Sequence, residues 1–356
     1  MRPTPQPSPG AKAVKQHLNT LYVTTQGAYL RKDGQAVDVR IEKQTKLRVP
    51  LHNLDGIVGF GQVSVSPALM GACAQAGVTI SFMERNGRFL ASVLGPAHGN
   101  VLLRRAQYHT ADDSAQCLTV SKAIVCGKIG NCRTVLRRAA RDTDSEERKT
   151  ALDRIAKKLT ASLHEVGNAE ALDQLRGLEG DASKLYFSVL NSMVNVSARE
   201  FEFTKRSRRP PLDPINALLS FAYTLLAHDI RSACEATGLD VQVGFLHRDR
   251  PGRPGMALDL MEEFRPFLAD RMVLSLINRQ QVQPKDFEPR ESGAVYLNET
   301  GRKAFLTTWQ QRKQETITHP FLQEKTTVGL LMLLQAKLMS RYLRGDLDTY
   351  PPFIWK

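Results

Sequence analysis

Three short stretches hold side chains whose types and spacing suit chemistry. The first is Gly177-Leu178-Glu179-Gly180, one carboxylate between glycines at the opening of an apolar helix, with the small Ala182 and Ser183 on its own face. The second is Gly244-Phe245-Leu246-His247, an imidazole at the end of an apolar stretch and at the mouth of a loop carrying Arg248, Arg250 and Arg253. The third is Leu258-Asp259-Leu260-Met261-Glu262-Glu263-Phe264-Arg265-Pro266, where Asp259, Glu262 and Glu263 fall at helical spacings that give them one face. Each has a plain structural explanation as well. A carboxylate in a first turn favours the helix dipole, a histidine at a segment end is often only hydrogen-bonded, and acids on one face are often solvated.

Together the three are more specific. Like charges on one helix face repel unless a cation such as Arg265 or a divalent ion neutralises them. Two or three carboxylates and one imidazole make a hard, oxygen-rich donor set that suits Mg²⁺ or Mn²⁺. Such an ion polarises a phosphodiester and stabilises both the attacking and the leaving oxygen. The chain has 356 residues and a formal charge of +13, which favours a polyanionic partner, nucleic acid first and a membrane surface second. The basic segment Arg199, Lys205, Arg206, Arg208 and Arg209, interrupted by one acid, Glu202, joins Arg248, Arg250 and Arg253 as the candidate DNA surface. The pairs Arg104-Arg105, Arg137-Arg138 and Lys157-Lys158 read as solvated helix faces. No stretch has the bulky apolar anchors of a membrane-surface helix.

Elements must hold these stretches in register. Residues 1–16, with four prolines in the first nine, read as a disordered arm. Residues 17–95 read as a β-rich domain with hairpin turns at Asp33-Gly34 and Asn86-Gly87 and one helix, started by Ser66-Pro67 and ended by Gly77. Residues 96–99 form a linker. From 100 the period becomes helical, over 100–109, 115–141, 147–165, 170–176, 181–197, 214–236, 256–280 and 300–342. The tail, 345–356, reads as extended, and whether its aromatics pack on the core or on a partner is open. The fold class is therefore α+β: a small N-terminal β-rich domain followed by a larger all-α C-terminal domain, 100–344. The five cysteines are odd in number and form no Cys-x-x-Cys pair, which fits free thiols in the cytoplasm and neither a disulfide framework nor a structural zinc site. The longest apolar run, Ala217 to Ala227, is 11 residues, against roughly 18 for a membrane span. The start, Met1-Arg2-Pro3-Thr4-Pro5, lacks the apolar core of a signal peptide.

From Leu18 onward the chain resembles the CRISPR-associated integrase that acquires new spacers, the Cas-one family, and most of all its type I-C members. The resemblance is carried in family order by 18–25, Arg48-Val49-Pro50-Leu51, 66–70, 100–108, Leu178-Glu179-Gly180, 213–220, Gly244-Phe245-Leu246-His247 and 258–266. It implies a homodimer built largely through the N-terminal domains, and two such dimers flanking a dimer of the small Cas-two protein. It implies a double-stranded DNA fragment whose 3′-hydroxyl ends are joined to the repeat of a CRISPR array by transesterification. It implies Glu179, His247 and Glu262 as the ligands of Mg²⁺ or Mn²⁺, and Asp259 as a supporting residue or alternative ligand. Relatives often carry Asp where this chain has Glu262, so the choice between Glu262 and Asp259 stays open. Because the imidazole binds metal only when neutral, activity is expected to fall in acid. A rival reading keeps the same ligands but has water attack branched or single-stranded DNA. A second rival is a DNA-binding scaffold without catalysis.

Overall fold

Alternating Val, Ile and Leu build two four-stranded sheets in the N-terminal part. The computed structural model describes residues 19–85, 89–93, 95, 101–196 and 201–355. The expected arm at 1–16, the Asn86-Gly87 turn and the 96–99 linker lie outside the described residues. One sheet has the order β1 (Asn19–Val23), β5 (Leu54–Phe60), β7 (Thr79–Met83), β8 (Phe89–Val93), with the first three parallel and β8 antiparallel. The other runs β4 (Gln44–Pro50), β3 (Ala36–Ile41), β2 (Ala28–Asp33), β6 (Val63–Val65). The β2–β3 hairpin closes through Gly34-Gln35, with Gly34 at φ 59°. Helix α1 (Pro67–Ala76) starts where Ser66 Oγ accepts from the Leu69 N–H and stops at Gly77. Leu30, Val37, Ile57, Leu69 and Ile80 are buried between these layers.

The larger part is helical: α2 (Val101–Asp112), α3 (Ser114–Asp142), α4 (Glu146–Gly167), α5 (Leu172–Phe187), α6 (Pro214–Thr237), α7 (Gly255–Phe264), α8 (Arg271–Asn278), α9 (Glu299–Gln314) and α10 (Leu331–Leu343). A π-helical stretch, Arg265–Asp270, joins α7 to α8. Two short ribbons accompany them, β9 (Phe287–Pro289) with β10 (Val295–Leu297) and β11 (Thr316–Thr318) with β12 (Lys325–Thr327). Among the described residues no helix is long and apolar enough to cross a membrane.

Three expectations change. The break expected between 176 and 181 is absent, because α5 runs unbroken through Gly177 and Gly180. Each glycine costs a helix roughly 1 kcal/mol relative to Ala, and packing of α5 on α3 and α4 outweighs it. The helix expected over 181–197 ends at Phe187 and gives way to a 3₁₀ turn, Leu190–Met193. The helix expected over 300–342 is two helices, because Thr316-Ile317-Thr318 are strand formers and Pro320 cannot continue a helix.

Sheet and helices share one core. Val58, Phe60 and Met83 belong to the helical cluster, and Phe60 lies 5.8 Å from the Phe221 ring. Polar ties cross the same seam: Gln310 Nε2 donates to Thr20 O at 2.9 Å, and Ser81 Oγ meets His228 Nδ1 at 3.1 Å. The tail packs on the core. Phe353 is fully buried 5.2 Å from the Phe264 ring and 4.9 Å from that of Phe267. Trp355 has Arg138 at 3.7 Å and Arg271 at 4.0 Å from its ring centre. Two guanidiniums that close to one centroid must lie on opposite faces, so they sandwich the indole.

On β3, Asp38 Oδ2 accepts from Arg31 Nε and Arg40 Nε, both at 2.9 Å. The Arg31 hydrogen bond, with help from Arg40 and against burial, holds its carboxyl at about 2. A depressed carboxyl stabilises the fold above its unfolded value near 4 and loses that contribution as the pH falls through its folded value. Asp38→Asn is therefore expected to melt lower than the parent at pH 7. In thermal melts across a pH series, the gap should shrink between about pH 4 and pH 2. A gap that stays constant over that window would contradict the assignment.

Candidate active site

The His247 loop is seated on α7 by two glycines in close contact. A Cβ at Gly244 would come within 2.7 Å of the Gly255 carbonyl carbon and 2.8 Å of Asp259 Oδ2, so no side chain fits there. Asp259 is fully buried and fills both its oxygens from the loop. Oδ2 accepts from the Phe245 and Leu246 N–H groups at 2.5 and 3.0 Å, and Oδ1 accepts from the His247 N–H at 3.0 Å. Further ties hold the loop from outside. Arg176 Nε donates to Leu246 O at 2.7 Å, Cys117 Sγ donates to Phe245 O at 3.3 Å, and Gln107 Nε2 donates to Val243 O at 2.7 Å.

Asp259 also fixes the imidazole. His247 Nδ1 lies 2.6 Å from Asp259 Oδ1. Because a carboxylate oxygen only accepts, Nδ1 is the donor of this bond and Nε2 is the nitrogen turned toward the site. Nε2 faces Glu262 Oε1 at 3.8 Å. Asp259 thus spends both its oxygens on the His247 loop, whereas Glu262 faces only side chains.

Glu262, one turn on from Asp259, is 2% exposed. Arg265 Nη1 lies 3.2 Å from its Oε1, and Lys128 Nζ lies 2.7 Å from its Oε2. Burial alone would raise this carboxyl, but Arg265 and Lys128 outweigh it and hold it at about 2, so Glu262 stays ionised. The same Lys128 ammonium pairs with Glu179 Oε1 from α5, which also accepts from Ser183 Oγ at 2.9 Å. Burial would lower the Lys128 ammonium; Glu262 and Glu179 reverse that and raise it.

The donor chemistry fits a hard divalent ion: two carboxylates converge on one ammonium, and an imidazole nitrogen faces one of them. Among the described residues no group of three or more His, Cys, Asp or Glu side chains closes up as a ligand cage. Lys128 stands between the carboxylates instead. Asp259, Glu262 and Glu263 do not form an acidic face, because all three are buried and Glu263 points elsewhere, to Tyr350 Oη at 2.6 Å and the Phe353 N–H at 2.7 Å.

A cavity of about 470 Å³ opens beside Glu179 and Lys128 and is lined by Lys205, Arg206 and Arg208. Asp270 also lines it; burial pushes its carboxyl up to about 6, although Tyr223 Oη donates to it at 2.7 Å. A second cavity of about 500 Å³ reaches His247 from the side of Arg176 and Arg248. Of the expected DNA contacts, Lys205, Arg208, Arg209 and Arg250 are exposed, and Arg253 is half-buried. Arg199 lies outside the described residues. Arg206 turns inward, donating to Asn216 Oδ1 at 2.7 Å, and Arg248 pairs with Asp173 at 2.7 Å. Sequence reasoning missed Lys128. Its signal is its place four residues after Ile124 and four before Cys132, a charge on an otherwise apolar helical stripe.

Comparison with known proteins bears on the family of the whole chain. The family described as CRISPR associated protein Cas1 matches residues 21–311. The CRISPR-associated endonuclease Cas1 1 of Chlorobaculum tepidum is 53% identical over 347 residues, 96% of this chain and 100% of that protein. A Cas1 protein structure from Thermotoga maritima superposes with a TM-score of 0.81 at 24% identity, covering 93% of this chain and 99% of the other. A casposase bound to its integration product superposes at 0.80 with 22% identity, covering 95% and 94%. At those identities the two structures speak for the fold alone. With the family match over most of its length and the endonuclease relative matched end to end, the chain belongs to the Cas1 family and is a CRISPR-associated endonuclease.

Proposed function

We propose that this Cas1 protein is a metal-dependent integrase of CRISPR adaptation. It joins the 3′-hydroxyl ends of a double-stranded DNA fragment to a CRISPR repeat by transesterification. The observation that carries this reading is that Glu179 and Glu262 share the Lys128 ammonium while His247 Nε2 faces the other oxygen of Glu262, beside a cavity edged with Lys and Arg. Glu179, Glu262 and His247 would hold Mg²⁺ or Mn²⁺, and the ion, when bound, would polarise the phosphodiester and lower the cost of the attacking hydroxyl's ionisation.

The chain's own residues do the remaining work. Asp259 keeps the His247 proton on Nδ1 and so presents Nε2 to the site. Arg265 offsets the Glu262 charge, and Ser183 orients Glu179. Lys205 and Arg208, at the cavity edge, would take backbone phosphates, as would Arg209, Arg250 and Arg253; this makes DNA binding steeply dependent on salt and largely blind to sequence. Partners are a second copy of this chain and a Cas-two dimer. The nearly continuous exposure of β4, with Leu47 46% exposed, supports pairing through the N-terminal part.

Strand transfer tests the reading. A labelled duplex is incubated with Mg²⁺ or Mn²⁺, the Cas-two partner and a plasmid carrying leader and repeat. The expected product is label joined to plasmid, and label that is only shortened would support the hydrolytic rival. Glu179→Gln and His247→Ala should each lower joining by at least about 100-fold with melting temperatures near that of the parent. Unchanged joining would leave only a scaffold. Asp259→Asn should lower both joining and Mn²⁺ affinity by about 10–100-fold, the usual cost of losing a residue that orients a ligand. Full Mn²⁺ affinity in a folded Asp259→Asn protein would contradict its role.

A further inference from the structure

We infer that Lys128 is a placeholder cation: its ammonium holds Glu179 and Glu262 together in the ion-free protein and opposes entry of a divalent ion, so that the ion binds strongly only together with a DNA phosphate. The inference rests on the metal site proposed above and adds to it a coupling between metal and substrate.

Placement comes first. Lys128 projects from the middle of α3, is 7% exposed, and touches carboxylates from two other helices, Glu179 of α5 and Glu262 of α7. Two carboxylates that share one ammonium lie close enough to repel each other strongly wherever water is excluded. Removing the cation from such a buried group leaves uncompensated charge, which is costly. Lys128 therefore keeps the two halves of the site assembled.

Charge balance gives the second step. Glu179 and Glu262 contribute two negative charges, and Lys128 and Arg265 contribute two positive ones. These four groups balance one another, and the Asp259 charge is already engaged by three backbone N–H groups and the imidazole. A divalent ion added among them leaves excess positive charge in a poorly solvated place. Phosphates of a DNA end entering the adjoining basic cavity supply the missing negative charge. Metal and DNA are then mutually reinforcing ligands, and reciprocity requires that each raise the other's affinity by the same factor. Lys128 also lines that cavity, so an ammonium displaced from the carboxylates has room beside the incoming phosphate.

The test is Mn²⁺ binding to the full chain, read from the electron paramagnetic resonance signal of free Mn²⁺, with and without a DNA duplex. The parent should bind Mn²⁺ weakly alone and at least about tenfold tighter with DNA. Lys128→Met should bind Mn²⁺ at least about tenfold tighter than the parent without DNA, and gain correspondingly less from DNA. Its ion-free melting temperature should fall, and Mn²⁺ should raise it more than it raises that of the parent. If Lys128→Met does not fold, Lys128→Gln carries the same expectation. A folded variant that binds Mn²⁺ no tighter than the parent in the absence of DNA overturns the placeholder role. Glu179→Gln separates the two readings. If it loses Mn²⁺ binding while the Lys128 variants bind no tighter, the placeholder alone fails; if it binds as the parent does, the metal site itself fails.

Discussion

A carboxylate taken out of water needs a partner, and α7 buries three of them within five residues. Each is satisfied in a different direction, and that division sets the architecture around the site. Asp259 faces the His247 loop and accepts three backbone N–H groups and the imidazole. Glu262 faces Lys128, Arg265 and the other side of the same imidazole. Glu263 faces the tail, taking the Tyr350 hydroxyl, the Phe353 N–H and Gln335 Nε2 at 2.9 Å. Removing any one leaves its partners unpaired in dry protein, which costs more than a surface ion pair contributes.

Helix α3 is the counterpart of α7. Lys128 supplies the cation, and Asn131, one turn on, donates to Glu263 O at 2.7 Å and to Phe353 O at 2.8 Å. Just before Lys128, Gly127 admits close contact, since a Cβ there would meet Glu263 Cγ and Pro352 Cβ at 3.1 Å. The tail is thus tied to the helix that bears Glu262 through the same short stretch of α3 that bears Lys128. The proposed site, assembled from α3, α5, α7 and the His247 loop, exists only when those elements are docked, which would link catalytic competence to folding of the helical part as a whole.

Much of this was legible in residue order. A cap and a breaker marked α1, with Ser66-Pro67 at its start and Gly77 at its end. The three chemistry-bearing stretches were legible because Glu, His and Asp stand out against apolar neighbours. Their division of labour was not. Asp259 and Glu262 have the same spacing logic, and only the loop folding onto Asp259 shows that its oxygens are filled. The partner of the two glutamates was hidden because Lys128 is 51 residues from Glu179 and 134 from Glu262 by position, and pairing over such distances is set by helix packing. Local propensity also misled where tertiary contact outweighed it, as at Gly177 and Gly180 inside α5.

The central claim is that Glu179, Glu262 and His247 grip one ion. Anomalous diffraction from crystals of this protein grown with Mn²⁺ and a DNA end tests it most directly. The account predicts a single manganese peak at about 2.0–2.3 Å from His247 Nε2 and from an oxygen of each glutamate, with Asp259 still bonded to Nδ1. A manganese peak on Asp259, or at a site that touches neither glutamate, would contradict it.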